Sequence, residues 1–280
     1  MKDKRIAGIV RGQPGRDGAG VNLTRVLHTG TLEAFDPFLM LDSFDSKDPA
    51  DYINGFPEHP HRGIETITYL AEGRIDHKDS LGNAGSIRNG DAQWMTAGSG
   101  ILHEEMPQPA ERMLGLQFWL NLPQKDKMTT PKYFDIHSAD IPVVQEEGAT
   151  VRVIAGSYKD TIGAQSHHIP ATFLELYLEA NSEVRFPSAS DETSFVFLLE
   201  GDAVIGEKTI AEKAAVLLGD GDHVRIQSTD QPARVIYAQA PPLGEPIAWG
   251  GPIVMNTKEE ITQAFMDLRN GNFIKDQPES

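Results

Sequence analysis

The sequence predicts an all-β protein of the sandwich or barrel kind, arranged as two similar domains with one short helix near the C-terminus. Short apolar runs rich in Val, Ile, Phe and Tyr alternate with Gly, Asp, Asn and Pro, a spacing typical of sandwiches and barrels. Gly-Asp pairs recur between the runs, and both residues favour tight turns. Representative apolar runs are residues 66–70, 151–154, 173–178 and 195–199.

One helix is predicted near the C-terminal end. Thr257 and Glu260 fit a capping box, in which each satisfies a backbone N–H of the other. Gly271 supplies a stop signal, because glycine readily adopts the left-handed conformation found at helix ends. The apolar positions, spaced for one helix face, are Ile261, Ala264, Phe265 and Leu268. We expect this stripe to pack against a core.

Two histidine motifs indicate a metal site. In a β-strand, residues i and i+2 point to the same face, so His59 and His61 can direct two imidazoles at one point. By the same rule, His103 and Glu105 can direct an imidazole and a carboxylate. Three nitrogens and one oxygen suit a divalent transition metal such as iron, nickel, copper, manganese or zinc.

The oxygen ligand has two candidates on the strand pattern alone. Glu105 shares the parity of His103, whereas Glu65 shares the parity of His59 and His61. Arg62 has the opposite parity, so we expect it to point away from the metal and form a salt bridge or reach solvent. His77 lies on a polar strand and is expected at the surface.

Six further residues near these motifs are candidates for the wall of a substrate pocket. They are Met40, Asp42, Phe56, Trp94, Met95 and Gln117. An apolar wall of this kind would suit a flat aromatic substrate. The alternative interpretation is that the apolar members fill the barrel core and the two polar ones satisfy backbone groups.

A weak internal repeat supports the two-domain interpretation. Residues 67–73 resemble residues 195–201, and both segments end in Glu-Gly. Counting back without gaps pairs His59 with Pro187, His61 with Ala189 and Glu65 with Thr193. We therefore expect a metal-binding domain over residues 1–130. A second domain over residues 131–280 would lack metal ligands and end in the helix.

Composition excludes several classes of function. The formal charge of −16, with scattered Lys and Arg, opposes direct binding to nucleic acid. The absence of cysteine removes disulfides and thiolate chemistry and suits a reducing compartment. The N-terminus lacks the apolar stretch of a signal peptide, and no apolar run reaches membrane-spanning length. We expect a cytoplasmic protein that does not associate with membranes.

The longer sequence segments around the histidines resemble those of the pirin family. The similar segments are residues 36–42, 56–66, 93–107 and 251–257. The resemblance implies a bicupin, with two jelly-roll (double-stranded β-helix) barrels and a metal in the first. It implies His59, His61, His103 and Glu105 as ligands, and so favours Glu105 over Glu65, which would then orient a ligand histidine. Fe(II) is the implied metal, with Ni, Cu, Mn, Co or Zn as alternatives.

The resemblance also implies two competing functions. Some pirins are similar to quercetin 2,3-dioxygenases, which implies a small aromatic substrate such as a flavonol, together with O₂. In that reaction Glu105 would take the proton of the 3-hydroxyl, and the heterocycle would open with loss of carbon monoxide. The alternative is a non-enzymatic, redox-sensitive regulator whose protein partner is a transcription factor or a metabolic enzyme. Isomerase or hydrolase chemistry at the same metal is a third hypothesis.

Overall fold

The computed structural model describes residues 1–276, which consist mainly of β-strands, as the sequence predicts. The helices in this part of the chain are α1 (Leu32–Phe35), α2 (Lys258–Asn270) and two 3₁₀ turns at Pro49–Asp51 and Gln124–Asp126. Within residues 1–276, no helix has the length and apolar character needed to cross a membrane. The strands are β1 (Ile6–Arg11), β2 (Gln13–Asp17), β3 (Val21–Leu27), β4 (Phe38–Ser46), β5 (Phe56–His61), β6 (Ile64–Glu72), β7 (Arg74–Asp79), β8 (Ala84–Arg88), β9 (Ala92–Thr96), β10 (Ile101–Pro107), β11 (Met113–Asn121), β12 (Lys132–Ile136), β13 (Val143–Glu146), β14 (Ala149–Ala155), β15 (Ser157–Tyr158), β16 (Thr161–Ile162), β17 (Thr172–Leu178), β18 (Glu183–Pro187), β19 (Thr193–Glu200), β20 (Ala203–Ile205), β21 (Lys208–Ile210), β22 (Ala214–Leu218), β23 (His223–Ser228), β24 (Ala233–Ala240), β25 (Ala248–Gly250) and β26 (Ile253–Met255).

The strands group into two compact units that do not follow chain order. The first barrel contains Pro14–Thr29, Phe38–Ser138 and Leu243–Ser280, and the second barrel contains Met1–Gln13, Gly30–Pro37 and Ala139–Pro242. This grouping differs from the linear division at residues 130 and 131 that the sequence suggested. The N-terminal strand β1 belongs to the second barrel, whereas β12 and helix α2 belong to the first.

Strand pairing explains this difference. Strand β1 pairs antiparallel with β22, and β12 pairs antiparallel with β9. Each of them completes the edge of a sheet whose central strands come from elsewhere in the sequence. An added edge strand satisfies the backbone groups of the strand that it covers. The local pattern of apolar residues does not say which segment of the chain supplies that strand.

The two barrels have the same strand order. In the first barrel the sheets are β12-β9-β6-β11-β4-β3-β2 and β5-β10-β7-β8. In the second barrel they are β1-β22-β19-β24-β17-β14-β13 and β18-β23-β20-β21. Because the orders match strand for strand, the short repeat at residues 67–73 and 195–201 marks a structural repeat of the whole barrel.

Helix α2 has the ends that the sequence predicts. The Thr257 hydroxyl accepts a hydrogen bond from the Glu260 backbone, and the Glu260 carboxylate accepts one from the Thr257 backbone. Gly271 ends the helix in the left-handed conformation. Of the predicted stripe, Ala264 is buried, whereas Phe265 is 37% exposed and lies at the margin of the packed face.

Candidate metal centre

The three histidines meet on one face of two paired strands. Strands β5 and β10 are antiparallel, with His103 opposite His59 and Ile101 opposite His61. A register shift follows His103, so that Glu105 lies opposite Phe56. His61 and His103 are buried and His59 is half-buried. One ring nitrogen from each histidine lies within 4.8 Å of the others, a geometry that could hold a metal ion.

Backbone carbonyls orient two of these rings. The Nδ1 of His59 lies 2.9 Å from the Pro57 carbonyl, and the Nδ1 of His61 lies 3.0 Å from the Pro252 carbonyl. A carbonyl accepts only, so each Nδ1 carries the proton and donates. Each Nε2 is then left with a lone pair, and these two nitrogens lie 3.1 Å apart.

The electrostatics of the cluster fit a cation. Two lone pairs 3.1 Å apart repel each other unless a positive charge lies between or beside them. The Nε2 of His103 is buried and has no hydrogen-bond partner among residues 1–276. Burial, followed by the charges of neighbouring histidines, holds the pKa of His61 and of His103 well below the ordinary value. Neutral imidazoles are the form that binds metal, so the donor set fits a divalent metal ion.

Glu105 lies beside the histidines and is held by two neighbours. Its Oε1 accepts a hydrogen bond from Thr68 Oγ1 at 3.0 Å, and its Oε2 accepts one from Gln117 Nε2 at 3.1 Å. Glu105 is 3% exposed and lines the same cavity as His59 and His61. Its oxygens lie outside the tight group formed by the three histidines. The local sequence does not indicate Thr68, because its contact with Glu105 joins strand β6 of one sheet to strand β10 of the other.

Glu65 occupies a different environment from Glu105. It is fully buried, accepts a hydrogen bond from Thr96 Oγ1 at 2.7 Å and interacts with Trp94. Burial raises its pKa to about 7. Within residues 1–276, the hydrogen bonds of Glu65 involve these neighbours, while the histidine rings are oriented by the Pro57 and Pro252 carbonyls.

A cavity of about 660 Å³ opens in front of the cluster. Four of the six pocket candidates line it, namely Met40, Asp42, Phe56 and Gln117. The pairing of β4 with β11 brings three of them together, because it places Gln117 opposite Asp42 and Trp119 opposite Met40, whereas Phe56 comes from β5. Trp94 and Met95 are each 1% exposed and belong to the barrel core, not to the cavity lining.

Two tryptophans extend the cavity wall beyond the sequence candidates. The Trp119 ring meets His61 edge-on at 4.9 Å and stacks on Trp249 at 5.7 Å with an interplanar angle of 26°. Trp119 is two residues from Gln117 on the same strand, so strand parity could have indicated it. Trp249 is distant in sequence, and no local signal connects it with the histidines.

Asp42 is paired with an arginine across the cavity wall. Arg25 donates to both Asp42 oxygens, at 2.9 and 2.7 Å, and to Asp17 at 2.6 Å. Burial raises the pKa of Asp42, although the hydrogen bonds and charge of Arg25 act in the opposite direction. The guanidinium is thus matched by two carboxylates, and Asp42 has a structural partner that the sequence motif did not reveal.

The histidine strand is anchored by two buried basic side chains. Arg62 donates to the Ser99 carbonyl at 2.6 Å, to Asp267 at 2.8 Å and to the Phe273 carbonyl at 2.9 Å. This arginine points away from the metal cluster and forms a salt bridge, as parity predicts, but it is 2% exposed instead of reaching solvent. It ties the residue after His61 to helix α2.

Lys127 provides the second anchor. Its ammonium group donates to the Gly63 carbonyl at 2.8 Å, to Asn121 Oδ1 and to the Val254 carbonyl at 2.9 Å. Burial lowers its pKa to about 7. Because Val254 is two residues from Pro252, the lysine also fixes the segment whose carbonyl orients His61.

His77 is not at the surface, in contrast to the expectation from its polar strand. It is 6% exposed, and its Nδ1 lies 2.6 Å from the Tyr133 hydroxyl, which also accepts a hydrogen bond from Gln93. Burial lowers the pKa of His77. Tyr133 lies on β12, the strand that a division near residue 130 would have assigned to the other domain.

The fold and the site define this protein as a bicupin in which one barrel carries a three-histidine cluster suited to a divalent metal. The pirin domain matches residues 20–120, and the pirin C-terminal cupin domain matches residues 173–274. The chain belongs to the pirin family.

Named relatives agree with this assignment. A pirin-like protein of Caulobacter vibrioides is 43% identical over 98% of this chain and all of its own length. Human pirin is 38% identical over 95% of this chain and 93% of its own length. The crystal structure of a quercetin 2,3-dioxygenase from Acinetobacter baumannii superposes with a TM-score of 0.89 at 34% identity, covering 97% of this chain and 98% of that one.

Proposed function

We propose that this protein is an Fe(II)-dependent dioxygenase that cleaves a flavonol such as quercetin, or a similar enolisable aromatic. The observation that carries the proposal is the three-histidine cluster, with Glu105 beside it, at the base of an aromatic-walled cavity of about 660 Å³. A volume between about 300 and 1,000 Å³ is typical of small-molecule sites. The solved quercetin 2,3-dioxygenase with the same fold supports this substrate class.

His59, His61 and His103 would hold the metal, and Glu105 would complete the set as a ligand or act on the substrate. A bound Fe(II) would supply Lewis-acid and one-electron chemistry toward O₂ at this point. All other contributions come from side chains of the first barrel.

In this proposal Glu105 takes the proton of the flavonol 3-hydroxyl. Each of its oxygens accepts one hydrogen bond, from Thr68 or from Gln117. A carboxylate oxygen has two acceptor sites, so both oxygens keep capacity for a substrate proton. The two donors fix the plane of the carboxylate, so less conformational entropy is lost when substrate binds.

The aromatic wall would bind and desolvate the flat ring system. Trp119 and Phe56 line the cavity, and Trp249 stacks on Trp119. Ring stacking favours a planar substrate, and exclusion of water protects a reactive enolate from protonation. Because the sequence contains no cysteine, the protein suits a reducing compartment such as the cytoplasm, where Fe(II) also persists.

The test is O₂ uptake by protein loaded with Fe(II) under anaerobic conditions and then mixed with quercetin and O₂. Loss of the flavonol absorbance and release of carbon monoxide are followed in parallel. We expect uptake and bleaching to be coupled, and both to be absent in His61→Ala. Full iron occupancy without O₂ uptake on any of a panel of flavonols would contradict the proposal and favour the regulator hypothesis.

A further inference from the structure

The second barrel contains a cavity of its own, of about 420 Å³. Its lining includes Phe186, Ser188, Tyr237 and Gln239, which lie on or next to β18 and β24. The metal proposal for the first barrel leaves this cavity without a role.

Cross-strand register shows that this cavity occupies the position of the metal cavity in the repeat. In the first barrel β6 pairs with β11, with Thr68 opposite Gln117. In the second barrel β19 pairs with β24, with Val196 opposite Tyr237. Since the repeat places Val196 at the position of Thr68, Tyr237 replaces Gln117, and two residues later Gln239 replaces Trp119.

The same register identifies the counterparts of the metal ligands. His77 pairs with Glu105 in the first barrel, and Ile205 pairs with Ile226 in the second. The histidine-bearing strands then align as follows: His59 with Phe186, His61 with Ser188, His103 with Val224 and Glu105 with Ile226. This alignment is one residue from the gapless count, which gave Pro187 and Ala189, because the chain from Ser188 to Thr193 is one residue longer than the chain from His61 to Glu65.

These replacements turn a metal site into an aromatic one. The four counterparts supply no imidazole and no carboxylate. The Phe186 ring instead packs edge-on against Tyr237 at 5.0 Å and tilted against Tyr158 at 5.4 Å. Edge-to-face packing at these distances presents ring faces and edges to a further aromatic group.

A polar triangle closes one side of the cavity. The Tyr237 hydroxyl lies 2.7 Å from Ser188 Oγ and also contacts the Gln239 carbonyl oxygen, which accepts from Ser188 Oγ at 2.9 Å. The Gln239 amide nitrogen donates to Glu192 at 2.6 Å, which fixes the amide. The three oxygens share two hydroxyl protons, and both protons are used within the triangle. The remaining lone pairs can only accept, so they select a ligand that donates an O–H.

The lysine at the cavity rim is already paired, and the Glu192 carboxylate behind Gln239 adds a negative charge. Lys159, at the cavity rim, forms a salt bridge with Glu146, which also accepts a hydrogen bond from Tyr158. Burial raises the pKa of Tyr158 and of Tyr237, so both phenols stay neutral at physiological pH. A neutral ligand is therefore favoured over an ionised one.

We propose that the second barrel is a metal-independent binding site for a small neutral phenol, a hydroxylated single-ring aromatic. The ring packs on Phe186, and the ligand hydroxyl donates its one proton to the Ser188 oxygen. The volume suits one substituted ring, whereas the larger cavity of the first barrel suits a fused ring system. The site stands independently of the proposed dioxygenase function.

The test is a ligand-observed ¹⁹F NMR titration of the full-length, metal-loaded protein with 4-fluorophenol. Ser188→Ala and His61→Ala form a matched pair, because they change corresponding positions in the two barrels. We expect Ser188→Ala to raise Kd about fivefold, the typical worth of one hydrogen bond, and His61→Ala to leave Kd unchanged. Ala189→Phe, which fills the cavity sterically, should abolish binding.

Three results would overturn the proposal. One is the absence of saturable binding up to about 5 mM, where a single-ring ligand of ordinary affinity would occupy a formed site. Another is loss of binding in His61→Ala with retention in Ser188→Ala, which would place the phenol in the first barrel. The third is unchanged binding in Ala189→Phe. Thermal unfolding of each variant confirms that the second barrel is folded.

Discussion

The two barrels share a strand order and a cavity position, yet they present different chemistry at that position. Where the first barrel has His59, His61 and His103, the second has Phe186, Ser188 and Val224. A barrel held by backbone pairing and an apolar core therefore tolerates either set, because the inward positions near the cavity are not required for pairing. The chemistry is decided by a few side chains on strands that the fold places in any case.

The barrels also differ in how their cavity strands are anchored. In the first barrel two buried basic side chains, Arg62 and Lys127, tie the segment after His61 to helix α2 and to the backbone near Pro252. The corresponding stretch of the second barrel follows Ser188, and there the side-chain triangle with Tyr237 and Gln239 holds the strand end. Converging lone pairs repel one another before metal arrives, so a metal cluster needs stronger positioning than an aromatic pocket.

The largest expected difference between the barrels is in metal content. His61→Ala removes a proposed ligand. Loss of a group that only orients a ligand lowers metal affinity by roughly 10–100-fold, so loss of the ligand itself should lower it further. Ser188→Ala at the corresponding position should leave the metal-to-protein ratio unchanged. Elemental analysis after gel filtration checks both variants. Equal metal content in His61→Ala and the native protein would place the metal elsewhere.

A substitution at Glu105 distinguishes proton transfer from metal binding. If the protein has the proposed dioxygenase activity, Glu105→Gln keeps the shape of the side chain but removes the base, so kcat should fall by roughly 10²–10⁴-fold. The three histidines should still retain metal. Its counterpart Ile226 has no such role, and Ile226→Val should change kcat little. Full turnover in Glu105→Gln would remove this residue as the base.

Loss of the Arg62–Asp267 ion pair, which ties Arg62 to helix α2, should lower the stability of the first barrel more than loss of an exposed ion pair lowers that of the second. Asp267→Ala leaves Arg62 as a buried charge without its carboxylate, which should lower the free energy of unfolding by about 3 kcal/mol. The control is Asp222→Ala in the second barrel, which breaks an exposed contact with His223 and should cost much less. Denaturant unfolding measures both variants. Equal losses would show that the Arg62–Asp267 pair is not a significant anchor.

The smallest expected difference between the barrels is in how ligand affinity depends on pH. Histidine must be neutral to bind metal, so affinity should fall at acid pH. Because the pKa of His61 and of His103 is lowered, both stay neutral further into acid than an ordinary histidine. The fall should therefore be steepest below about pH 6. Phenol binding in the second barrel involves no group that titrates in this range and should stay constant. A metal affinity that acid leaves unchanged over the whole pH range in which the protein stays folded would contradict the histidine site.

Local pattern was sufficient for much of this molecule. The strand-rich fold follows from short apolar runs and turn residues, and the ends of helix α2 follow from Thr257, Glu260 and Gly271. The meeting of His59 and His61 follows from strand parity, a property of the backbone that does not depend on the rest of the chain. For the same reason Arg62 was expected to point away from the cluster.

Tertiary structure decided what depends on contacts between distant segments. Strand β1 belongs to the second barrel and β12 to the first, because each pairs with a strand distant in sequence. The burial of His77 against Tyr133 and the stacking of Trp249 on Trp119 also join residues far apart in sequence. Glu65 and Glu105 share strand parity with the clustered histidines, yet their environments differ because different strands supply their hydrogen bonds. Glu65 bonds to Thr96, its cross-strand neighbour, whereas Glu105 bonds to Thr68 and Gln117 on the other sheet of the barrel. By itself the sequence determined which residues could face inward, since side-chain direction is a local property. Only the packing of the strands determined which inward residues meet, since that depends on non-local pairing.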